Sequence, residues 1–405
     1  MIRPSRPRLL ALLGCAAALL CCGLASIAQS TPQAPTIQSA PAPQLAPAPQ
    51  AAQGAAPSTT APPRVSSPSD LAAAVEPLRM RARAFGETLE VEVRNLPRDN
   101  ARQAIEAAIL EVLHVEALLR PEAPLTAASK PPADSSSPQL ADLAELNAGA
   151  GLGPQRPDPR LLQILARSWD YCIWTRGAHG PLGGELNQLW GLPGGSGARP
   201  PADLLNQAIE TASCDNLRLD AETALADLAR GARLDLWGFA RGFAVDRALA
   251  VLQDHGATNA YLEIGRIHRG LGPGPEGRGW LVVLPILEGF TEPLDEIWLR
   301  DQSLAMVRIE DSPLTVAGDR YAPFLDQRRG APPEGVEGVV TVTENAVDAE
   351  AVAASMMILG YREGLMRLGS LRPAPSTLWL LGDGGGPPLI TTAHWADLKS
   401  RRGKG

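Results

Sequence analysis

The run Leu234-Asp-Leu-Trp-Gly-Phe-Ala-Arg-Gly-Phe-Ala-Val-Asp246 places an acid, a base and two glycines at the entrance of one amphipathic segment. Gly238 and Gly242 let a ligand approach the backbone where the first amides of a helix lack partners, a geometry suited to phosphate oxygens. Paired glycines ahead of a helix also serve tight packing, so two readings stand. Arg241 offers a forked cation matched to oxyanions, or is a solvated helix-start arginine. Asp235 either meets a ligand or accepts the amides of its own turn. A second acidic pair opens Asp348-Ala-Glu-Ala-Val-Ala-Ala-Ser-Met-Met-Ile-Leu-Gly360, where Asp348 and Glu350 complement a helix dipole or ligate a hard cation. His268, in Gly265-Arg266-Ile267-His268, reads as an exposed loop histidine before a base.

These residues need elements to hold them. Phe243, Ala244, Ala248, Leu249 and Leu252 share one face of a helix that closes at Asp254-His255, with Gly256 at the C′ position. A strand, Ala260 to Ile264, follows. Upstream, Thr88 to Val93 alternates as a half-buried strand, while Ala101 to Leu119 and Arg160 to Trp174 carry apolar residues at helical spacing. The segment from Asp348 starts acidic, turns apolar and stops at Gly360, so it reads as a largely buried helix. Strands and helices in this order predict an α+β domain.

The chain has 405 residues, 45% hydrophobic and 20% charged, enough for one large domain or two small ones. A net charge of −7 speaks against nucleic acid or anionic lipid as a partner. Arg3, Arg6 and Arg8 precede the apolar Leu9–Leu24, and Ser26-Ile27-Ala28 offers a cleavage site, so residues 1–28 are expected to be a signal peptide of an exported, periplasmic protein. The alternative is a lipid anchor on Cys15, after Leu12-Leu13-Gly14. No later stretch reaches the ~20 apolar residues that a membrane helix needs. Residues 29–70 form a Pro/Ala-rich tether, 71–390 the folded domain and 391–405 a polar basic tail, with a surface loop at Lys130–Pro138. Outside the leader, Cys172 and Cys214 are either one bridge or two small buried hydrophobes.

Taken in order, these segments resemble the ApbE family of FAD:protein FMN transferases from about residue 80 to 385. The run Asp235–Asp246 is similar to the family's Asp-Leu-Gly-Gly-Ile-Ala-Lys-Gly-Tyr-Ala-Val-Asp. Gly177-Ala178-His179-Gly180-Pro181 and Leu189-Trp190-Gly191-Leu192 are similar to its Gly-Ala-Phe-Asp-Pro and Leu-Trp-Gly-Phe. Asn147, in Leu143-Ala-Glu-Leu-Asn147, sits where the family has its Ser-Glu-Leu-…-Leu-Asn segment. The run Gly318 to Pro332 resembles Gly-Lys-Arg-Tyr-Ser-His-Ile-Leu-Asp-Pro-Arg-Thr-Gly-Arg-Pro, and Ala349 to Gly360 resembles Ala-Asp-Ala-Leu-Ala-Thr-Ala-Leu-Phe-Val-Leu-Gly.

The resemblance implies a T-fold-like domain of mixed sheets packed with helices. It also implies an activity: FAD is bound, its pyrophosphate is split with Mg²⁺, and FMN passes to a Ser or Thr of a flavin-acceptor protein. Asp235 and Arg241 are then catalytic. Ala178, His179, Asp235, Gly238, Arg241, Gly242 and Asp326 hold the flavin nucleotide, and Glu350 and Gly238 contact the metal. Gly180, Pro323 and Ala354 depart from the family's aspartate, histidine and threonine, while Arg241 and Glu350 replace a lysine and an aspartate. Ser355 lies about 100° further round the helix than Ala354, a poor substitute. Three lost polar groups predict weakened transfer, since one such group is often worth about 10²- to 10³-fold in rate. The alternative is a non-catalytic flavin- or partner-binding periplasmic module.

Overall fold

Period-two alternation along the strands gives one sheet an apolar layer on each face. The computed structural model describes residues 76–121, 140–192, 198–286, 291–311, 313–382 and 389–399, all within the unit 64–405. The expected leader, tether and Lys130–Pro138 loop lie outside them. In chain order the strands are β1 (Leu78–Ala84), β2 (Glu87–Val93), β3 (Leu217–Asp220), β4 (Leu225–Leu228), β5 (Ala260–Ile264), β6 (Ile267–Leu271), β7 (Trp280–Val283), β8 (Glu296–Leu299), β9 (Gln302–Arg308), β10 (Leu314–Val316), β11 (Asp319–Tyr321), β12 (Val336–Thr343), β13 (Ser376–Leu381) and β14 (Leu389–Thr391). The helices are α1 (Arg98–Leu118), α2 (Leu143–Ala148), α3 (Pro159–Trp174), α4 (Gly184–Trp190), α5 (Ala202–Thr211), α6 (Ala240–Asp254), α7 (Ala346–Leu368) and α8 (Trp395–Lys399).

Eight strands form one sheet in the order β1-β2-β5-β6-β9-β12-β13-β14, and three hairpins stand apart from it. The α+β class is as expected. Every pairing in the sheet is antiparallel, where mixed sheets were anticipated. Tight turns explain part of this: Phe85 and Gly86, both with positive φ, join β1 to β2 with the twist that a two-residue hairpin needs.

On one face Leu262, Ile264, Ala305, Val307 and Val339 meet Ala104, Ile105 and Ala108 of α1, Ala244, Ala248 and Leu252 of α6, and the inner side of α7. Fully burying one Leu, Ile or Val side chain stabilises by about 1.5–3 kcal/mol, so this layer dominates the core. On the other face Leu304, Met306, Val340, Val342 and Leu378 pack with Val282, Ile297 and Leu299 of the β7–β8 hairpin. Trp395 and Leu398 of α8 close that second layer. Residues 391–399, expected as part of a polar tail, therefore end a strand and bury a tryptophan. Their large apolar residues are only two, Trp395 and Leu398, too few to stand out from the polar residues around them.

Helix α6 ends as expected, with Gly256 at φ +85° and the Ala257 N–H donating to the Leu252 carbonyl. Helix α7 breaks at Gly360, φ +68°, and resumes to Leu368. Its first amides, Ala346 and Val347, donate to the Asp246 carboxylate of α6, so one helix caps the other.

Candidate active site

The site is built around the turn 235–239 that feeds α6. Asn147 of α2 donates to the Leu234 carbonyl at 3.0 Å and accepts from its N–H at 2.7 Å, fixing the strand-like entry to the turn. The Asp235 N–H donates to the Pro181 carbonyl. Its carboxylate accepts from Asn187 Nδ2 and from the Trp237 N–H, both at 2.9 Å. Asp235 thus satisfies amides of its own neighbourhood. Gly238, φ +92°, has no room for a side chain: a Cβ would lie 2.9 Å from His179 Nε2 and 3.2 Å from Phe324.

His179 is enclosed. Its ring stacks on Phe239 at 4.5 Å and 15°, its Nδ1 lies 3.0 Å from Ser355 Oγ, and Nε2 meets no partner of hydrogen-bonding geometry although the Trp237 backbone is close by. Burial lowers its pKa to about 4, so the ring is neutral near pH 7. Ser355, set aside on helical phase as a substitute ligand, holds this ring instead.

The loop after β11 closes the opposite side. The Gln327 N–H and side-chain amide donate to the Ala178 and Gly180 carbonyls, which ties 326–328 to 178–180. Asp326 accepts from the Arg328 N–H and guanidinium, and Arg328 also reaches Glu363. Ala178 is wholly buried, with its carbonyl engaged in this lacing.

Gly180 has a specific cause. A bridge joins Cys172 to Cys214, with Cα atoms 6.0 Å apart, and a Cβ at Gly180 would lie 2.5 Å from Cys172 Cβ and 2.7 Å from its sulfur. An aspartate has no space there while this half of the bridge is present.

Arg241 and Glu350 meet across the α6–α7 contact. Arg241 Nε donates to Glu350 Oε1 at 3.0 Å and the Gly242 N–H to Oε2 at 2.8 Å, with Glu350 2% exposed. The Arg241 guanidinium lies 5.2 Å from the centre of the Trp237 ring. Gly242 allows this closeness, because a Cβ would overlap the Ala346 carbonyl. Asp348, at the first turn of α7, pairs with Arg167 at 2.7 Å and accepts from Tyr171.

Of the expected residues, Ala178, His179, Asp235, Gly238, Arg241, Gly242, Asp326 and Glu350 thus surround one region. His268 does not: it sits on β6 with a mostly buried side chain, bonded to Tyr261 on the other face of the sheet. The loop position expected for it is corrected by the pairing of β6 with β5 and β9. Asn187, Trp237, Phe239 and Ser355 were not foreseen as site residues.

The donor set does not fit a divalent metal. Glu350 already holds two N–H donors, one of them cationic, Ala354 is buried and brings no oxygen, and both Asp235 oxygens are bonded. Mg²⁺ takes oxygen ligands in near-octahedral array and keeps several waters, but is anchored by one or two carboxylates, and both carboxylates available here are already engaged.

The model of the ApbE family matches residues 133–375. A curated FAD:protein FMN transferase of Treponema pallidum is 26% identical over 257 residues, 60% of this chain and 71% of its own. One of Chlamydia muridarum is 26% identical over 222 residues, 54% of this chain and 68% of its own. The crystal structure of the ApbE protein of Thermotoga maritima aligns with a TM-score of 0.67 at 20% identity, over 80% of this chain and 99% of its own. The flavinyl transferase ApbE of Pseudomonas stutzeri, in its apo form, aligns at 0.65 and 20%, over 80% and 97%. At such identity the structural likeness is one of fold.

Proposed function

This chain belongs to the ApbE family, and on that premise we propose that it is an FAD:protein FMN transferase. In this reading a Ser or Thr hydroxyl of an acceptor protein attacks the phosphorus of the FMN half of FAD. The new P–O bond replaces the pyrophosphate linkage, AMP leaves, and the hydroxyl proton passes to solvent.

The observation that supports this best is convergence. Asn147, Ala178–Leu182, the turn 235–239 and Gln327, spread over 181 residues (147 to 327), are hydrogen-bonded into one frame around the start of α6. That frame presents a cation, Arg241, at a glycine turn without Cβ obstruction at Gly238. Phosphoryl transfer asks the protein mainly for positioning and charge neutralisation, which such a frame suits. No step is assigned to a metal, because the residues present do not fit one.

The Cys172–Cys214 bridge supports action in an oxidising compartment such as the periplasm. The test is incubation of the purified protein with FAD and a Ser/Thr acceptor peptide, followed by mass spectrometry. Transfer gives a peptide heavier by the FMN moiety with matching AMP; an unmodified peptide alongside bound, intact FAD would instead leave a binding module.

A further inference from the structure

We infer that the nucleotide's diphosphate is held without a divalent metal, by the guanidinium of Arg241 beside the indole N–H of Trp237. The inference deepens the flavin-nucleotide reading and rests on it.

Its basis is a census of matched and unmatched polar atoms at the α6–α7 contact. The carboxylates are matched: Glu350 by Arg241 Nε and the Gly242 N–H, Asp235 by Asn187 and the Trp237 N–H; further off, His179 Nε2 and Gln327 Oε1 are buried without a partner among the described residues. The unmatched groups include definite donors. Arg241 Nη1 and Nη2 have no hydrogen bond among the described residues although the side chain is only 19% exposed. Trp237 Nε1 is buried without an acceptor among the described residues, and the guanidinium lies over its ring. Two neighbouring side chains, Arg241 and Trp237, whose free groups donate, next to carboxylates that are already neutralised, recruit an anion; a cation would meet the guanidinium first. A planar fork with its outer edge free matches two oxygens of a phosphate.

Glu350 thereby acquires a different task. Its carboxylate, 2% exposed, fixes the Arg241 side chain by its inner nitrogen and leaves the outer two for ligand. Arg241 is in effect a tethered positive charge, preorganised by an ion pair and a ring, at the place where an exchangeable ion would otherwise have to be gathered.

The test is titration of the exported chain with FAD, followed by flavin fluorescence, once in Mg²⁺ and once in EDTA, with Mn²⁺ alone titrated calorimetrically. FAD affinity is expected to agree between the two buffers within about twofold, and Mn²⁺ alone to give no saturable heat. Arg241→Ala should weaken FAD by about tenfold or more in both buffers. Because that change strands a buried carboxylate, Arg241→Ala/Glu350→Gln carries the same expectation without the uncompensated charge. An FAD affinity that rises tenfold with Mg²⁺, or saturable Mn²⁺ binding that disappears in Glu350→Gln, would overturn the inference and leave the proposed transferase standing. Absence of FAD binding in both buffers would overturn the two together.

Discussion

The two faces of the eight-stranded sheet carry polar clusters of opposite construction. On the helix-covered face Arg241, Glu350, Asp235 and Asp246 are paired with one another or with backbone amides, and His179 is stacked on Phe239. On the other face Tyr261, Glu263, Arg266 and His268 line an open cleft of about 300 Å³ with Leu281 and Val283. There burial raises the Glu263 pKa, but hydrogen bonds from His268 and Tyr261 outweigh it and hold the carboxyl below the usual range. Stability and chemistry are coupled on the closed face and separable in the cleft. Charges on the closed face are structural members, so altering one disturbs the fold as well as a ligand; those in the cleft line solvent.

The largest expected effect comes from the bridge under the closed face. Replacing Cys172 and Cys214 by Ala removes a link across 42 residues and is expected to cost ~4 kcal/mol by loop-closure entropy, measured by denaturant unfolding. A loss under 1 kcal/mol would show that the 178–180 loop does not depend on it. Gly242→Ala comes next: the added methyl meets the Ala346 backbone of α7, with an expected loss of ~3 kcal/mol. An unchanged midpoint would mean the α6–α7 contact yields readily.

The third prediction separates two titrating groups of opposite sign. Buried His179 has a folded pKa of about 4, below its unfolded value of 6.5, so its contribution is present above 6.5 and is lost as pH falls towards 4. Asp246, ringed by protein atoms, is raised by burial to about 6 from 3.8, so its contribution is present below 3.8 and is lost as pH rises through 6. The two nearly cancel between pH 4 and 6. Asp246→Asn should leave stability rising with pH there, and His179→Gln should leave it falling, each by up to ~1.4 kcal/mol per pH unit. Parallel slopes in the two variants would remove both assignments. The smallest effect is expected in the cleft: Tyr261→Phe loses the bonds to His268 (2.8 Å) and Glu263 (3.1 Å), costing ~1 kcal/mol with FAD affinity unchanged. A change in FAD affinity would join the two faces that are here held separate.

Much of the closed face is legible in sequence because it is local. The glycine turn, the helix ending at Gly256 and the break at Gly360 are each announced by residues within a few positions. What was illegible is long-range. Glu350 meets Arg241 across 109 positions, and nothing in the periodicity of either helix says that an apparent metal ligand will instead anchor a guanidinium. His268 followed a glycine and an arginine and so resembled a loop, yet Gly265 and Arg266 only turn β5 into β6. Gly180 looked like a simple loss; Cys172, eight positions earlier, fills its space, and the bridge that fixes Cys172 reaches Cys214, 34 positions after Gly180.

The sheet order β1-β2-β5-β6-β9-β12-β13-β14 rises monotonically along the chain. A polypeptide emerging amino end first can therefore add each strand beside the one just laid down, never inserting between two already paired. The cost is a growing edge left bare at every stage, a template for pairing with another copy until it is covered. That exposure ends with β14, three residues long and followed directly by α8. The last strand of the sheet to be synthesised is then the one that stops lateral growth, and deleting it is expected to produce a sticky molecule before an inactive one.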